Sequence, residues 1–278
     1  MILFKDRIDA AKQLAKRAEE WLDNNNNNVA KDKQKVQRQE QQYHHQHQRK
    51  SRKSTKNAAD NDIIVLAIPR GGVVIGGVIS NILGARLDII VSRKIGAPYN
   101  PELAIGAVMP DGSYFLNRDI VNMLNVPQSY IIQQANIQKK EIERRLQSFR
   151  GERRGGGENS GSYYNDYNNF EGKTVVLVDD GIATGATILS AAQWLKTKQN
   201  CCKMLIVAVP VAPPPPPPSL QSSSNEDIVS KLNQIANKVI ILYRPEPFYS
   251  VGQFYKQFEQ VSDTEVREIM IRHGHRPL

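Results

Sequence analysis

The sequence is poor in cysteine and has no long hydrophobic run. Its two cysteines, Cys201 and Cys202, are adjacent, and neighbouring residues pair badly with each other, which excludes a disulfide framework. No stretch reaches the roughly 18 consecutive apolar residues that indicate a membrane helix. The first residues, MILFKDR, become charged at Lys5, too early for the apolar region of a signal peptide. We therefore expect a cytoplasmic protein that does not enter a membrane.

Two widespread phosphate-binding motifs are also absent. The chain contains no GxxxxGK[ST], and no GxGxxG follows a predicted strand, so neither a P-loop nor a dinucleotide-binding fold is indicated. What is present is a chain of 278 residues with 40% apolar content, which is enough to bury a core. This length fits one domain of roughly 200 residues with insertions, or two small domains.

Outside one segment, the sequence has almost no excess of charge. Residues 24–57 contain nine basic and two acidic residues, so they carry +7 of the net +9. The segment is rich in Asn, Gln, Lys and His, and we expect residues 23–61 to be a low-complexity insert, disordered or loosely helical. Two alternatives remain open for it: weak metal binding by YHHQHQ (Tyr43 to Gln48) and contact with nucleic acid, although charge runs are more often solvated tails.

The rest of the chain alternates between strand and helix patterns. Short apolar runs predict strands at 63–68, 87–95, 174–180, 203–211 and 239–243, and a turn at PDG predicts two more within 102–117. Helices are predicted at 4–22, 71–84, 119–150 (broken near Pro127), 185–199 and 228–237, with two short ones at the end. Residues 151–170 are a Gly/Asn-rich linker. This alternation indicates an α/β fold with a mainly parallel sheet, in which ligands bind at the carboxyl ends of strands.

The stretch VVLVDDGIATGAT, residues 175–187, carries the most specific chemistry. Asp179 and Asp180 end a buried strand, and the small residues Gly181 to Thr187 then turn into a helix. Successive backbone N–H groups at such a turn favour a phosphate. Two carboxylates would repel that phosphate, but they suit hydroxyl groups a few ångströms away. The stretch therefore predicts a site for a sugar phosphate.

This stretch resembles the phosphoribosyl-pyrophosphate (PRPP) signature of type I phosphoribosyltransferases, and two other segments agree with it. IPRGG, residues 68–72, is similar to the pyrophosphate loop of that family, and SRKIGAPYNPELAIGAV, residues 92–108, to its flexible lid. Further segments resemble a prokaryotic subfamily whose acceptor is undefined: VPVAPP and PEPFYSVGQFYKQFEQVSDTEVREI. The resemblance implies an α/β fold of the type I phosphoribosyltransferase kind, with a mainly parallel central sheet flanked by helices, a small hood and a helical insertion at 119–150. It covers residues 4–22 and most of 62–271.

The resemblance implies a role for each matching residue. It implies that ribose 5-phosphate passes from PRPP to a nitrogen nucleophile, for which a nucleobase is expected, with Mg²⁺ and release of pyrophosphate. The 5′-phosphate would lie on Gly181, Ile182, Ala183, Thr184, Gly185, Ala186 and Thr187; the ribose, and Mg²⁺ directly or through water, on Asp179 and Asp180; and the pyrophosphate on Arg70, Gly71, Gly72, Arg93 and Lys94. A cis peptide near Arg70–Gly71 and a homo-oligomer are also expected.

The acceptor and one alternative function stay open at this stage. Relatives that act on 6-oxopurines carry Asp where this chain has Ala183, which makes such an acceptor less expected. Glu102 in the lid is either a proton shuttle or an exposed loop acid. The aromatic residues of PEPFYSVGQFY either stack on a base or belong to the core. The alternative function is a regulator that senses PRPP and binds nucleic acid through the basic insert, without transferase activity.

Overall fold

The computed structural model describes residues 1–43, 63–151, 170–197, 202–217 and 226–277. Its helices are α1 (Arg7–Tyr43), α2 (Gly71–Leu83), α3 (Arg118–Met123), α4 (Gln128–Arg150), α5 (Ala186–Thr197), α6 (Ile228–Ile235) and α7 (Asp263–Arg272), with a 3-10 helix at Val251–Phe254. Its strands are β1 (Ile63–Ala67), β2 (Arg86–Ile89), β3 (Arg93–Ala97), β4 (Asn100–Val108), β5 (Tyr114–Leu116), β6 (Thr174–Val178), β7 (Met204–Val211) and β8 (Lys238–Tyr243). The predicted linker at 151–170 and the second half of the basic insert lie largely outside the described residues.

A five-stranded sheet forms the centre of the molecule. Its strand order is β2-β1-β6-β7-β8, and every neighbouring pair is parallel. β1, β6 and β7 are buried along nearly their whole length, as expected for strands covered by helices on both faces. One apolar cluster lies on each side of the sheet. The predicted α/β fold with a mainly parallel sheet is therefore confirmed.

A second, antiparallel sheet stands apart from the first and has the order β3-β4-β5. Its existence corrects one prediction, because residues 87–95 are not a single strand. The chain leaves the parallel sheet after Ile89 and enters the small sheet at Arg93. Since Ile90 and Val91, which follow β2, are buried as well, the apolar pattern extends past the end of β2 and conceals the break.

Helix α1 packs its small apolar face against the central sheet and α2. Ala11, Leu14, Ala15, Ala18 and Leu22 are buried on this face, whereas Ile8 is exposed. The helix continues past Leu22 into the Asn-rich run and ends at Tyr43. α2 ends at the predicted Gly84, which adopts the left-handed conformation (φ 59°) of a helix C-cap.

Helices α3 and α4 form the segment predicted as a helical insertion. A buried ion pair ties α4 to the central sheet. At the carboxyl end of α4, Arg150 Nη2 lies 2.6 Å from Asp88 Oδ1 of β2, and both side chains are about one-twentieth exposed. Arg150 Nη2 also donates to the Ile89 carbonyl at 3.1 Å. Within the described ranges, no helix is long and apolar enough to cross a membrane.

Candidate functional site

Two adjacent carboxylates stand at the carboxyl end of β6, the middle strand of the parallel sheet. Asp179 and Asp180 follow Val178 directly, and both are half-buried. The Asp180 N–H donates to Asp179 Oδ1 at 2.9 Å, which fixes the first carboxylate against the backbone of the second. The acids thus occupy the edge predicted from the sequence, where the loops after β1 and β7 also arrive.

Three side chains distant in sequence surround the second acid. Arg7 Nε lies 2.8 Å from Asp180 Oδ2, and Tyr255 donates its hydroxyl to the Asp180 carbonyl at 2.7 Å. Arg7 also stacks on Phe258, with its Cζ 3.8 Å from the ring centroid. Since the Arg7 side chain is only 11% exposed and that of Asp180 17%, this ion pair is poorly screened by solvent.

The electrostatics of the pair follow from this burial. Burial, and then the charge of Asp180, raise the pKa of Asp179 well above its usual range. Burial also raises the pKa of Asp180, and the hydrogen bond and charge of Arg7 oppose that rise. Burial and Asp180 likewise raise the pKa of the Tyr255 hydroxyl, which remains a hydrogen-bond donor at neutral pH. Burial therefore disfavours the charged form of both acids, and the Arg7 guanidinium opposes that effect.

The turn after the acids is held in place by two glycines and one buried isoleucine. A Cβ on Gly181 would come within 2.5 Å of Val251 Cγ1, and one on Gly185 within 2.3 Å of Ile228 Cγ1. Gly185 also has a φ of +77°, which a side chain would strain. Ile182 is buried, and its N–H donates to the Val211 carbonyl at 2.8 Å. These contacts fix the turn on β7, α6 and the 3-10 helix.

The outer surface of the same turn is open. Ala183, Thr184, Ala186 and Thr187 are exposed, and they lead into the first turn of α5, where backbone N–H groups lack helical partners. A helix N-terminus with adjacent hydroxyl groups is a favourable place for a phosphate. One prediction is corrected here: the Ile182 amide is occupied by Val211, so Ile182 anchors the turn and does not supply a donor.

The predicted pyrophosphate loop lies directly on the acid pair. A Cβ on Gly71 would stand 1.8 Å from Asp180 Oδ2, and one on Gly72 would stand 2.9 Å from the Val178 carbonyl oxygen. Only glycine allows this approach, and it places the N-terminus of α2 beside the acids. The non-proline cis peptide joins Pro69 to Arg70, one bond earlier than predicted.

The three predicted pyrophosphate cations have protein partners. Arg70 Nη1 is 3.5 Å from Asp263 Oδ1 at the start of α7, and Arg93 Nε donates to Gln138 Oε1 at 3.1 Å. Lys94 Nζ lies 2.8 Å from Glu102 Oε2 across the β3–β4 hairpin. Arg70 and Arg93 are half-buried and Lys94 is exposed. Each of the three cations is thus paired with a different side chain.

The predicted lid is the hairpin of β3 and β4. Its tip carries Tyr99, which is fully exposed, and β3 is tied to α4 by the Tyr130 hydroxyl, which donates to the Gly96 carbonyl at 3.1 Å. The Glu102 side chain is 89% exposed, and the hydrogen bond from Lys94 lowers its pKa. Glu102 is thus an ionised carboxylate on an exposed strand.

The aromatic residues near the C-terminus divide between core and surface. Phe254 and Tyr255 are buried, and Phe248 packs on Phe254 with ring centroids 5.1 Å apart. Tyr249 is 85% exposed. The alternative that these residues belong to the core therefore holds for Phe254 and Tyr255, and Tyr249 is the one of the four that is free to meet a ligand.

Sequence reasoning missed Arg7 and Phe258, and did not see what the Tyr255 hydroxyl binds. Arg7 lies 173 residues from Asp180 in the sequence, within an ordinary amphipathic helix pattern. The sequence features that belong to these residues are a helix start near the N-terminus and the aromatic segment FYKQF near the C-terminus. Neither pattern identifies the other as its neighbour.

The acid pair is the candidate set of ligands for a divalent metal ion. Among the described residues, no group of three or more His, Cys, Asp and Glu side chains could hold a metal ion. Asp179 and Asp180 supply carboxylate oxygens at a half-exposed position, which suits Mg²⁺, since that ion keeps several waters and shares its remaining positions with substrate phosphates. The two carboxylates are therefore compatible with a hydrated magnesium ion.

Comparison with known proteins agrees with this geometry. Residues 39–238 match the family described as Phosphoribosyl transferase domain. Two curated proteins of Mycobacterium tuberculosis, "Putative phosphoribosyl transferase MT0597" of strain CDC 1551 and "Putative phosphoribosyl transferase Rv0571c" of strain H37Rv, are each 35% identical to this chain over 204 residues. These residues are 73% of this chain but only 40% of each relative, so the chain spans about two fifths of their length.

A solved structure is similar over nearly the whole molecule. The crystal structure of TT1426 from Thermus thermophilus aligns with a TM-score of 0.64 and 28% sequence identity, and the alignment covers 98% of this chain and 99% of that one. The similarity therefore includes the elements outside the family match at 39–238, namely the start of α1 and the C-terminal segment. Those elements supply Arg7, Tyr255 and Phe258.

Proposed function

Because this chain belongs to the phosphoribosyl transferase domain family, we propose that it uses PRPP and Mg²⁺ to transfer ribose 5-phosphate to a nitrogen nucleophile, most simply a nucleobase. One observation carries the proposal: an acid pair at the end of β6 adjoins both an open turn that begins a helix and the glycine-rich start of another helix. Carboxylates suit ribose hydroxyls, and the two helix N-termini suit phosphates on either side.

In the proposed reaction the bond between the anomeric carbon and the pyrophosphate oxygen breaks, and a bond from that carbon to the acceptor nitrogen forms. Pyrophosphate leaves with the bonding electron pair, and the acceptor nitrogen loses a proton. Positive charge develops on the ribose, so the protein contributes chiefly by positioning and by electrostatic stabilisation. In this proposal the Asp179 and Asp180 carboxylates hold the ribose and would stabilise that charge.

Each loop has a part in binding. The exposed turn from Ala183 to Thr187 would hold the 5′-phosphate through backbone N–H groups and two hydroxyls, with Gly181 and Ile182 as its buried support. Gly71 and Gly72 would offer their amides to the pyrophosphate. Arg70, Arg93 and Lys94 would reach it only by leaving Asp263, Gln138 and Glu102, which is feasible because these contacts are at least partly exposed and weak.

The residues that would hold Mg²⁺ are Asp179 and Asp180, directly or through water. When bound, the ion would neutralise negative charge on the pyrophosphate. Asp179 has one oxygen engaged by the Asp180 N–H, and Asp180 has one engaged by Arg7. Each carboxylate therefore retains an oxygen that can accept a hydrogen bond from ribose or water.

The acceptor would enter beside the lid and the C-terminal aromatic segment. Ala183 provides no carboxylate to a purine N7, so a 6-oxopurine is the less favoured acceptor. Glu102 is a candidate for the group that takes the proton of the acceptor nitrogen, since it is ionised and lies on the lid hairpin. Tyr249 is exposed near the same segment and can stack on a planar base.

The test is to measure pyrophosphate release from PRPP and Mg²⁺ with a panel of nucleobases, together with PRPP binding by calorimetry. We expect binding without a base and release only with a matching base. PRPP binding without release for any base, combined with salt-sensitive binding of RNA that is lost on deleting residues 24–57, would instead support a sensor. Failure of PRPP to bind at all would refute the proposal.

A glycine substitution tests the placement of the α2 N-terminus. In Gly71→Ala the new methyl would meet Asp180 Oδ2 and Arg7 Nε, so one of the two must move. We expect PRPP affinity to fall roughly tenfold or more, with a stability loss of about 1–3 kcal/mol from overpacking. Gly172→Ala is the control, because a Cβ at Gly172 meets nothing within 4 Å. That variant should lose stability only because alanine is strained at a φ of +73°. Equal PRPP affinity of both variants would contradict the placement.

A further inference from the structure

Arg7 connects the acid pair to residues 255–259, which lie 75 or more residues after Asp180 in the sequence. Its Nε donates to Asp180 Oδ2 at 2.8 Å, its Nη1 donates to the Glu259 carbonyl at 2.9 Å, and its guanidinium covers the Phe258 ring. Tyr255 stacks on Phe258 with centroids 4.8 Å apart and donates to the Asp180 carbonyl. Arg7, Tyr255 and Phe258, here called the Arg7 cluster, therefore hold both the backbone and the side chain of Asp180.

The cluster stands on a rigid base. The N–H groups of Leu3 and Phe4 donate to the Phe254 carbonyl, and the N–H groups of Lys256 and Gln257 donate back to the Phe4 and Lys5 carbonyls. Phe4 is 1% exposed and packs on Tyr255 with centroids 5.2 Å apart. The start of the chain and the segment after the 3-10 helix thus form one unit, and Arg7 extends from this unit to the acids.

We propose that Arg7 is a positioning residue for PRPP, which it serves by fixing the Asp180 carboxylate without touching the substrate. This inference rests on the proposed function. Arg7 occupies Oδ2, and among the described residues no other side chain bonds to the Asp180 carboxylate, so Oδ1 is the oxygen that we assign to a ribose hydroxyl. Because the Arg7 side chain is 11% exposed and already makes three contacts, it acts through Asp180.

The geometry also explains why a cation is needed at this position. Two adjacent carboxylates repel one another, and burial strengthens the repulsion because the local dielectric is low. A guanidinium can donate hydrogen bonds to the Asp180 carboxylate and the Glu259 carbonyl and stack its flat face on Phe258 at the same time. A lysine ammonium could keep the charge, but it would lose the stacking and the two-direction hydrogen bonding.

The test compares Arg7→Met, Arg7→Lys and Arg17→Met, with PRPP and Mg²⁺ titrated into each variant by calorimetry. Arg17 is the matched control, since it is on the same helix, is 68% exposed and only approaches Glu20 at 4.0 Å. We expect Arg7→Met to weaken PRPP binding by roughly 10–100-fold, as removal of an orienting partner commonly does. Arg7→Lys should recover part of that loss, and Arg17→Met should bind as the wild-type protein does.

A double-mutant cycle with Asp180→Asn separates positioning from general destabilisation. If Arg7 acts through Asp180, Arg7→Met should change PRPP affinity by less than about threefold in the Asp180→Asn background. Additive losses in the cycle, or wild-type affinity in Arg7→Met, would overturn the inference while the proposed function stands. Failure of the wild-type protein to bind PRPP would overturn the proposed function, and this inference with it.

Discussion

Replacing both acids by amides, Asp179→Asn with Asp180→Asn, should reduce PRPP affinity by roughly a thousandfold and leave the fold intact. Each carboxylate is expected to accept a charged hydrogen bond from ribose or from a water on Mg²⁺, and such bonds contribute about 1.5–3 kcal/mol each. An amide retains the shape and one acceptor oxygen but loses the charge. The measurement is a calorimetric titration with PRPP and Mg²⁺, accompanied by circular dichroism and a thermal unfolding curve.

The chain supplies a matched control for this pair. Glu19 and Glu20 are also adjacent acids, but both are exposed on α1, so Glu19→Gln with Glu20→Gln removes the same charge from the surface. We expect that variant to bind PRPP within about twofold of the wild-type protein, since exposed charges of this kind interact weakly with distant sites. An Asp179/Asp180 double variant that binds as tightly as this control would refute the ribose assignment.

The acid pair could be predicted from the sequence because its chemistry is local. The stretch from Val175 to Thr187 contains a buried strand, two acids, a turn and a helix start in 13 residues, and the strand fixes where the acids must lie. The same holds for the positions of β1 and β7, whose apolar runs predict parallel strands. Fold class and the core of the site therefore follow from short-range patterns.

The rest of the site depends on contacts between residues distant in the sequence. The Arg7–Asp180 pair spans 173 residues, and Arg70 is paired with Asp263, nearly 200 residues away. No periodicity or spacing can identify such partners, since surface-type residues such as Arg and Asp occur on every helix. These partners meet only in the folded chain, where the start of α1 and the segment before α7 both lie beside the acid pair.

The break at the end of β2 shows a different limit. Residues 87–95 contain no glycine or proline that would indicate a break, yet the chain changes sheets between Ile89 and Arg93. The intervening residues Ile90 and Val91 are buried, as they would be in a strand, so hydrophobicity alone cannot distinguish a strand from a connecting segment. This change of sheet separates the β3–β4 hairpin, which is the proposed lid, from the central sheet.

Loss of Arg150 should strongly destabilise the fold although the residue lies outside the site. The Arg150→Met variant would remove the closest cation from Asp88, which is 4% exposed, and would leave it with Arg86 at 3.8 Å and the Ile89 N–H at 2.8 Å. Removing one partner of a buried ion pair typically costs about 3–5 kcal/mol, and we expect the lower end of that range because Arg86 remains. Urea unfolding would give the free energy directly.

Arg144→Met is the control, because it removes the same group from the same helix. Arg144 pairs with Glu141 at 2.8 Å, but its side chain is 63% exposed, and exposed pairs contribute only about 0.2–1 kcal/mol. Adding Asp88→Asn to Arg150→Met should recover part of the stability, since the buried charge is then removed. The difference between the two arginines isolates burial as the cause, because helix and side chain are the same. Equal losses for Arg150→Met and Arg144→Met would mean that the ion pair does not hold α4 to the sheet.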